Sequence, residues 1–282
     1  MTGFITVNKT EGVSSAREVN IIKKLTGTPC GHLGTLDPMA SGVLPVAIGN
    51  AARLFDYFLS KKKRYVATFV FGCDSDTLDT TGTVIETGGK IPSVGEIEGV
   101  IPYLTGEVLQ IPPKYSAKSI CGKRGYQLAR EGIDFTLPPK KVNIYSIKVL
   151  NKITDNSYSF EIECGGGTYI RSIARDLGAR LGTAAIMSAL VRTKSGVFDI
   201  SSAVPTDMLN KENVSRYIME TDSVLPFESF YPSATEAKRL FNGLSAECGL
   251  SDGTYKIYYT DGSFYGLAES KDNFLKVRTK LC

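Results

Sequence analysis

Apolar residues recur along the chain with two different spacings, and each spacing predicts an element. Lys63–Phe71 (KRYVATFVF) is apolar on both alternating faces and rich in β-branched and aromatic residues, which predicts a buried strand. Ser157–Cys164 alternates: Tyr158, Phe160, Ile162 and Cys164 share one face, while Ser159, Glu161 and Glu163 share the other, as in a half-buried strand. Val142–Leu150 predicts a third strand. Ile170, Ile173, Ala174, Leu177 and Leu181 follow helical spacing after the break Gly165-Gly166-Gly167, and Ala51–Leu59 predicts a second helix. Further on, Thr235–Phe241 reads as a helix closed by Asn242-Gly243. The runs Thr254–Tyr259 and Ser263–Ala268 flank the hairpin turn Thr260-Asp261-Gly262. The order shows no regular βαβ alternation, so the expected class is α+β with a largely antiparallel sheet. Pro226 and Pro232 bracket an aromatic stretch, which predicts a division into residues 1–229 and a small β-rich unit at 230–282.

With 282 residues, 42% hydrophobic and 22% charged, the chain has the apolar material for a substantial core and is not of the disordered class. Its most apolar stretch, Gly42–Ala52, contains Pro45 and Asn50 and is too short to cross a bilayer. Met1–Val7 lacks a basic region ahead of an apolar block, so no secretory signal is expected. A cytoplasmic monomer with no membrane partner is the simplest expectation. The six cysteines form no CxxC and His32 is the sole histidine, so no metal site is expected and the thiols are expected to be free. The net charge of +4 hides an uneven distribution: residues 1–64 balance at +5, 65–113 at −6 and 114–150 at +6. Two basic blocks suggest a polyanion footprint, with a solvated charged surface as the alternative.

Chemistry concentrates in two segments. In Gly31-His32-Leu33-Gly34-Thr35-Leu36-Asp37-Pro38-Met39-Ala40-Ser41-Gly42, the glycines and Pro38 describe tight turns. Asp37 precedes the proline and must be extended, which directs its carboxylate out of the local chain. Such a loop suits catalysis, but the same residues also fit an ordinary Asx-type turn, and His32 fits a hydrogen-bonded turn position. The second segment, Gly165–Arg171, is a glycine run opening a helix, with Arg171 and Arg175 one turn apart. It lacks both Gly-Lys-Ser/Thr and GxGxxG, so no nucleotide cofactor is expected, and a solvated arginine pair is the alternative there.

Taken together, these segments are more specific. GHLGTLDPMASGVLPVAIG resembles the catalytic signature of the TruB family of tRNA pseudouridine synthases. The resemblance recurs in order through KRYVATFVFG, DSDTLDTTG, QIPPKYSAKSICGKRGYQLAREG and CGGGTYIRSIARDLGARLGTAA, spanning about residues 3–200. It implies the pseudouridine synthase fold (a large mixed, mainly antiparallel sheet flanked by helices), a PUA-like RNA-binding unit at 230–282, no cofactor, and a tRNA T-arm stem-loop as partner, with the uridine at tRNA position 55 as target. It also implies Asp37 as the catalytic aspartate, Tyr65 as the ring that stacks on the target base, and Arg171 as the aspartate's partner. His32, Tyr169 and Leu190 match positions around the flipped nucleotide, Lys9 a further substrate-binding position, and Asp79 a structural aspartate. Residues 110–135 resemble the family's RNA-binding thumb loop. The sequence departs from the family pattern at Thr10, Leu33, Lys118, Ser119, Gly165, Gly166 and Val191.

The implied reaction cuts the N1–C1′ bond of uridine, turns the uracil and rejoins it through C5. No atom or electron is exchanged with a cofactor. It needs an ionised carboxylate, either to attack covalently or to take a proton from the sugar, and a nearby arginine keeps such a group ionised in a water-poor pocket. The base must leave the RNA stack, and stacking on Tyr65 offsets that cost by about 1–3 kcal/mol. Two other readings use the same residues: a hydrolase built on His32, Asp37 and Ser41, and a non-catalytic RNA-binding or tRNA-folding protein of the same fold.

Overall fold

The structure, a computed structural model, describes residues 1–59, 61–116, 119–120, 123–133 and 135–281, with residues 119, 120, 123, 124, 126, 129 and 130 described by their backbone alone. In chain order the elements begin β1 (Gly3–Lys9), α1 (Ser15–Thr26), β2 (Cys30–His32), β3 (Ser41–Ile48), a 3-10 turn Gly49–Leu54, α2 (Phe55–Leu59) and β4 (Lys63–Phe71). There follow β5 (Cys73–Ser75), β6 (Val84–Glu86), α3 (Val94–Val100), β7 (Gly106–Gln110), β8 (Ser119–Ile120), β9 (Lys123–Arg124) and α4 (Gly125–Arg130). Next come β10 (Lys140–Thr154), β11 (Ser157–Cys164), α5 (Ile170–Arg180), β12 (Ala185–Ser195) and β13 (Phe198–Asp199). The chain closes with β14 (Glu228–Phe230), α6 (Ala234–Phe241), β15 (Ala246–Glu247), β16 (Gly253–Tyr258), β17 (Phe264–Lys271) and β18 (Phe274–Lys280).

Nine strands form the main sheet in the order β1-β3-β12-β4-β11-β10-β7, with β2 beside β3 and β13 beside β12. Every pairing in it is antiparallel except β3 with β12. Both faces are covered around β1 and β3, which explains why SGVLPVAI carries no polar face. Ile5, Val7, Leu44, Val46 and Ile48 join the core that also holds Ile22 of α1 and Ile173, Ala174 and Leu177 of α5. Phe4, Val43 and Ala47 face the other way, onto Leu54, Phe58, Phe198, Leu267 and Leu281. Lys9 shares the face of Ile5 and Val7, so strand alternation carries it under the first helix layer.

β4 and β11 have the expected bounds, and α5 opens at Ile170 as predicted. β10 runs on to Thr154, beyond the expected end at Leu150. Its exposed tail is paired with β11 by the backbone ladder and by polar contacts of Ser159 and Ser157 with Asn151 and Thr154, which leave no hydrophobic pattern. The expected Ala51–Leu59 helix is a 3-10 turn followed by α2. At the C-terminal end five strands pair in the order β14-β16-β17-β18-β15 beside α6. Leu267 and Leu281 tie this small sheet to Phe4 and Leu33 of the main one.

Candidate active site

Between β2 and β3 the chain forms a loop fixed by side chains from three directions. Lys9 Nζ donates to the carbonyls of Thr10 at 3.0 Å, Pro38 at 3.1 Å and Ala40 at 2.5 Å. Ser15 Oγ donates to Leu36 O at 2.8 Å and accepts from Leu36 N at 3.0 Å. Arg192 donates from Nη2 to Gly34 O at 3.0 Å and from Nε to Val43 O at 2.7 Å. A short turn, Ala40 N to Asp37 O at 3.0 Å, closes the loop around Asp37. Asp37 is therefore positioned by β1, α1 and β12 together, and not by the turn alone.

Its carboxylate meets the first turn of α5. Arg171 Nη2 lies 2.8 Å from Asp37 Oδ2, and Arg171 Nη1 lies 3.3 Å from Asp79 Oδ2. The same guanidinium donates to Thr77 O and Tyr115 O, each at 3.0 Å. Asp79 is held in turn by Thr77 Oγ1 at 2.7 Å and Thr81 N at 2.9 Å. The side chains of Arg171 and Asp79 are 7% and 4% exposed, against 41% for Asp37, so of the two carboxylates Asp37 is the one open to an incoming molecule.

Two cavities meet at this ion pair, and Asp37, Arg171 and Ser116 line both. The smaller, about 230 Å³, is walled by Tyr65, Tyr169, Leu190, Lys63 and Arg192. The larger, about 1010 Å³, is walled by His32, the start of α1 and the Asp76–Thr83 segment. Burial pushes the Tyr65 hydroxyl up to about 12 and raises Tyr169 as well, so both rings stay neutral. Burial, helped by the charge of Arg192, lowers the His32 imidazole and so favours its neutral form. Burial, with Arg192 again adding, brings the Lys63 ammonium down to about 8. Tyr169 is positioned by Gln110, whose amide accepts from Tyr169 N at 2.8 Å and donates to Tyr169 O at 3.1 Å.

Of the residues singled out in the sequence, Asp37, Tyr65, Tyr169, Arg171 and Leu190 converge on the smaller cavity, and His32 faces the larger one. Lys9 lines neither. Expected among the substrate-binding residues, it is fully buried, and three backbone carbonyls take its three N–H donors, so it serves the loop and has none left for a ligand. Among the described residues no hydrogen bond joins His32 to Asp37 or Ser41, and His32 Nδ1 has no partner, so the hydrolase arrangement is not assembled. Among the departures, Leu33 is core and Gly165 N donates to Asn143 O at 2.7 Å. Lys118 lies outside the described residues, as do the side chains of Ser119, Lys123 and Arg124 in the thumb segment. Sequence reading missed Lys63, Arg192, Ser15 and Gln110 as parts of the site. A signal was present for the first two: Lys63 and Tyr65 share a face of β4, and Leu190 and Arg192 a face of β12.

Among the described residues no cluster of three or more His, Cys, Asp or Glu could hold a metal ion, and no helix is long and apolar enough to cross a membrane. Residues 23–170 match the family described as TruB family pseudouridylate synthase (N terminal domain), and residues 171–230 match the tRNA pseudouridylate synthase B C-terminal domain. The tRNA pseudouridine synthase B of Clostridium kluyveri is 36% identical over 280 residues, 96% of each chain. That of Francisella philomiragia is 38% identical over 277 residues, 95% of this chain and 91% of its own. In fold, the chain is similar to a solved Cbf5-Nop10-Gar1 complex, with a TM-score of 0.72 and 24% identity over 99% of this chain and 85% of that one. The structure of an H/ACA RNP bound to a substrate RNA containing 2′-deoxyuridine gives 0.70 and 23%, over 99% and 85%. With relatives this similar along nearly its whole length, the chain belongs to the TruB family of tRNA pseudouridine synthases.

Proposed function

We propose that the protein isomerises the uridine at position 55 in the T loop of tRNA, with Asp37 as its catalytic carboxylate. The observation that carries this reading is the 2.8 Å contact between Asp37 and Arg171 at the edge of a cavity walled by Tyr65, Tyr169 and Leu190. A uridine turned out of the T loop enters the smaller cavity and stacks on Tyr65, with Leu190 against it. The neutral ring of His32, in the adjoining cavity, takes space the base has left. Asp37 then acts on the ribose, either by attack on C1′ or by removing a sugar proton, with Arg171 Nη2 2.8 Å from its Oδ2 to hold it in place. The uracil turns and C5 joins C1′.

The reaction balances without external atoms or electrons, which fits a reading with no metal, no cofactor and a single cytoplasmic chain. The basic blocks at 1–64 and 114–150 meet tRNA phosphates, and residues 230–282 form a second, PUA-like RNA-binding unit beside the catalytic unit 1–229. The test is Asp37→Asn assayed on an unmodified tRNA transcript, with the modified position mapped. The expected result is no pseudouridine in the T loop with tRNA affinity retained; residual turnover at a tenth of wild type or more would remove Asp37 from its role.

A further inference from the structure

The smaller cavity holds two buried cations that the reading above leaves unused. Lys63 and Arg192 are 5% and 1% exposed, and among the described residues neither has a carboxylate within ion-pair distance. Their side chains converge: a Cβ placed on Gly34 would lie 3.7 Å from Lys63 Cε and 3.8 Å from Arg192 Nη1. Arg192 is fixed by carbonyls of Gly34 and Val43, while Lys63 Nζ donates to Leu59 O at 2.9 Å and Lys61 O at 3.1 Å, leaving one of its three N–H donors. Buried positive charge with no carboxylate in ion-pair contact is costly, and an anion brought into the cavity would offset that cost.

We propose that Lys63 is a hydrogen-bond donor to the detached uracil, and that with Arg192 it forms the positive pole on which the uracil's negative charge rests between bond cleavage and rejoining. This rests on the Asp37 reading. When N1–C1′ breaks, its electron pair leaves with the base, and the charge spreads over N1 and the two carbonyl oxygens. When C5 bonds to C1′, C5 gives up its proton and N1 takes one, so the product has the composition of the substrate and Lys63 neither gains nor loses a proton. A preorganised donor aimed at developing charge acts here as in an oxyanion hole. A base fits this pole better than a phosphate does. Tyr65 lies two residues from Lys63 on the same face of β4, and Leu190 lies two residues from Arg192 on β12, so a group reaching the cations lies against an aromatic ring and an aliphatic side chain.

The charged and titratable groups beside Lys63 are Arg192 on β12, Cys164 on β11 and Tyr65 on β4, and Asp37, Tyr169 and Arg171 line the same cavity. Cys164 and Tyr65 are pushed up to about 11 and about 12, so both are neutral where Lys63 titrates, near 8. The test compares wild type, Lys63→Met and Lys63→Arg in single-turnover reactions on a tRNA transcript across pH, with tRNA affinity measured in parallel. Lys63→Met is expected to slow the chemical step about a hundredfold at unchanged affinity. Lys63→Arg is expected to restore much of the rate, and the wild-type rate to fall as pH rises through about 8, with that fall displaced upward in Lys63→Arg. A wild-type rate in Lys63→Met overturns the proposal, as does a loss of affinity with a shallower salt dependence, which would assign Lys63 to a phosphate. Should Lys63→Met not fold, a wild-type rate that shows no fall near pH 8 overturns it instead. An inactive Asp37→Asn beside a fully active Lys63→Met would sink this inference alone, whereas an active Asp37→Asn would sink the reading beneath it.

Discussion

Asp79 Oδ2 stands 3.3 Å from Nη1 of Arg171, the guanidinium whose Nη2 serves Asp37. Asp79 is the more buried of the two acids, so it anchors the cation and leaves Asp37 free to act. Asp79→Ala is expected to lower folding stability by about 3–5 kcal/mol, the cost of breaking a buried pair, as measured by denaturant unfolding. Asp79→Asn retains an acceptor for Thr77 and Thr81 and should fold better, yet lose pseudouridine formation at near-normal tRNA affinity. A fully active Asp79→Asn would show that the anchor does not matter to the chemistry.

Arg171 makes four contacts with a single planar group: two carboxylates and the carbonyls of Thr77 and Tyr115. Lysine is a point charge on a flexible stem and has no such fork. Arg171→Lys should therefore cut the single-turnover rate by about 10²-fold through misplacement of Asp37, with little change in affinity. Equal losses in affinity and rate would instead point to direct RNA binding.

Lys9 tests whether the loop is held from behind. Lys9→Met removes the donor from the buried carbonyl of Ala40 and from that of Thr10, while Pro38 O keeps its bond from Gly12 N, and a buried acceptor left unpaired costs about 1–3 kcal/mol. The expected outcome is a lower melting temperature and a slower reaction with the salt dependence of tRNA binding unchanged. A salt slope reduced by about one would mean that Lys9 touches a phosphate after all.

Lys63 ties stability to pH with a definite sign. Its folded value of about 8 lies below the ordinary 10.5. Below pH 8 both folded and unfolded chains carry the proton, and the folded chain bears the full cost of the buried charge. Between 8 and 10.5 the folded chain sheds a proton the unfolded chain keeps, so stability linked to this group rises with pH. Relative to wild type, Lys63→Met should be most favoured at neutral pH and lose up to about 3 kcal/mol of that advantage by pH 10.5. Paired melts across this range would show a constant difference if Lys63 were not shifted.

Gly42 has φ +95°, and a Cβ there would lie 2.4 Å from Arg192 O. Neither backbone can yield without parting β3 from β12, the parallel pairing at Arg192↔Gly42. Gly42→Ala should cost about 2–4 kcal/mol of stability from strain and overpacking, and slow the reaction because β3 leads directly out of the Asp37 loop. An unchanged melting temperature would contradict the close approach.

Much of this was legible in the chain itself. Period-two alternation marked β11, because a sheet face buried against helices writes its pattern into successive residues, and a β-branched, aromatic run apolar on both faces marked β4. The Asp-Pro step and the glycines around it marked an unusual loop, and ordered motifs gave it a family. Local sequence determined which residues were chemically equipped. It did not determine how Asp37 would be held, since Lys9, Ser15 and Arg192 reach the loop from distant segments, and their roles exist only once β1, α1 and β12 are packed around it. The same is true of Lys63: the buried strand read over Lys63–Phe71 puts it on one face with Tyr65 but does not bring it to Arg192. Only the pairing of β4 with β11 and β12 turns it inward, into a cavity whose low dielectric makes an unbalanced charge matter.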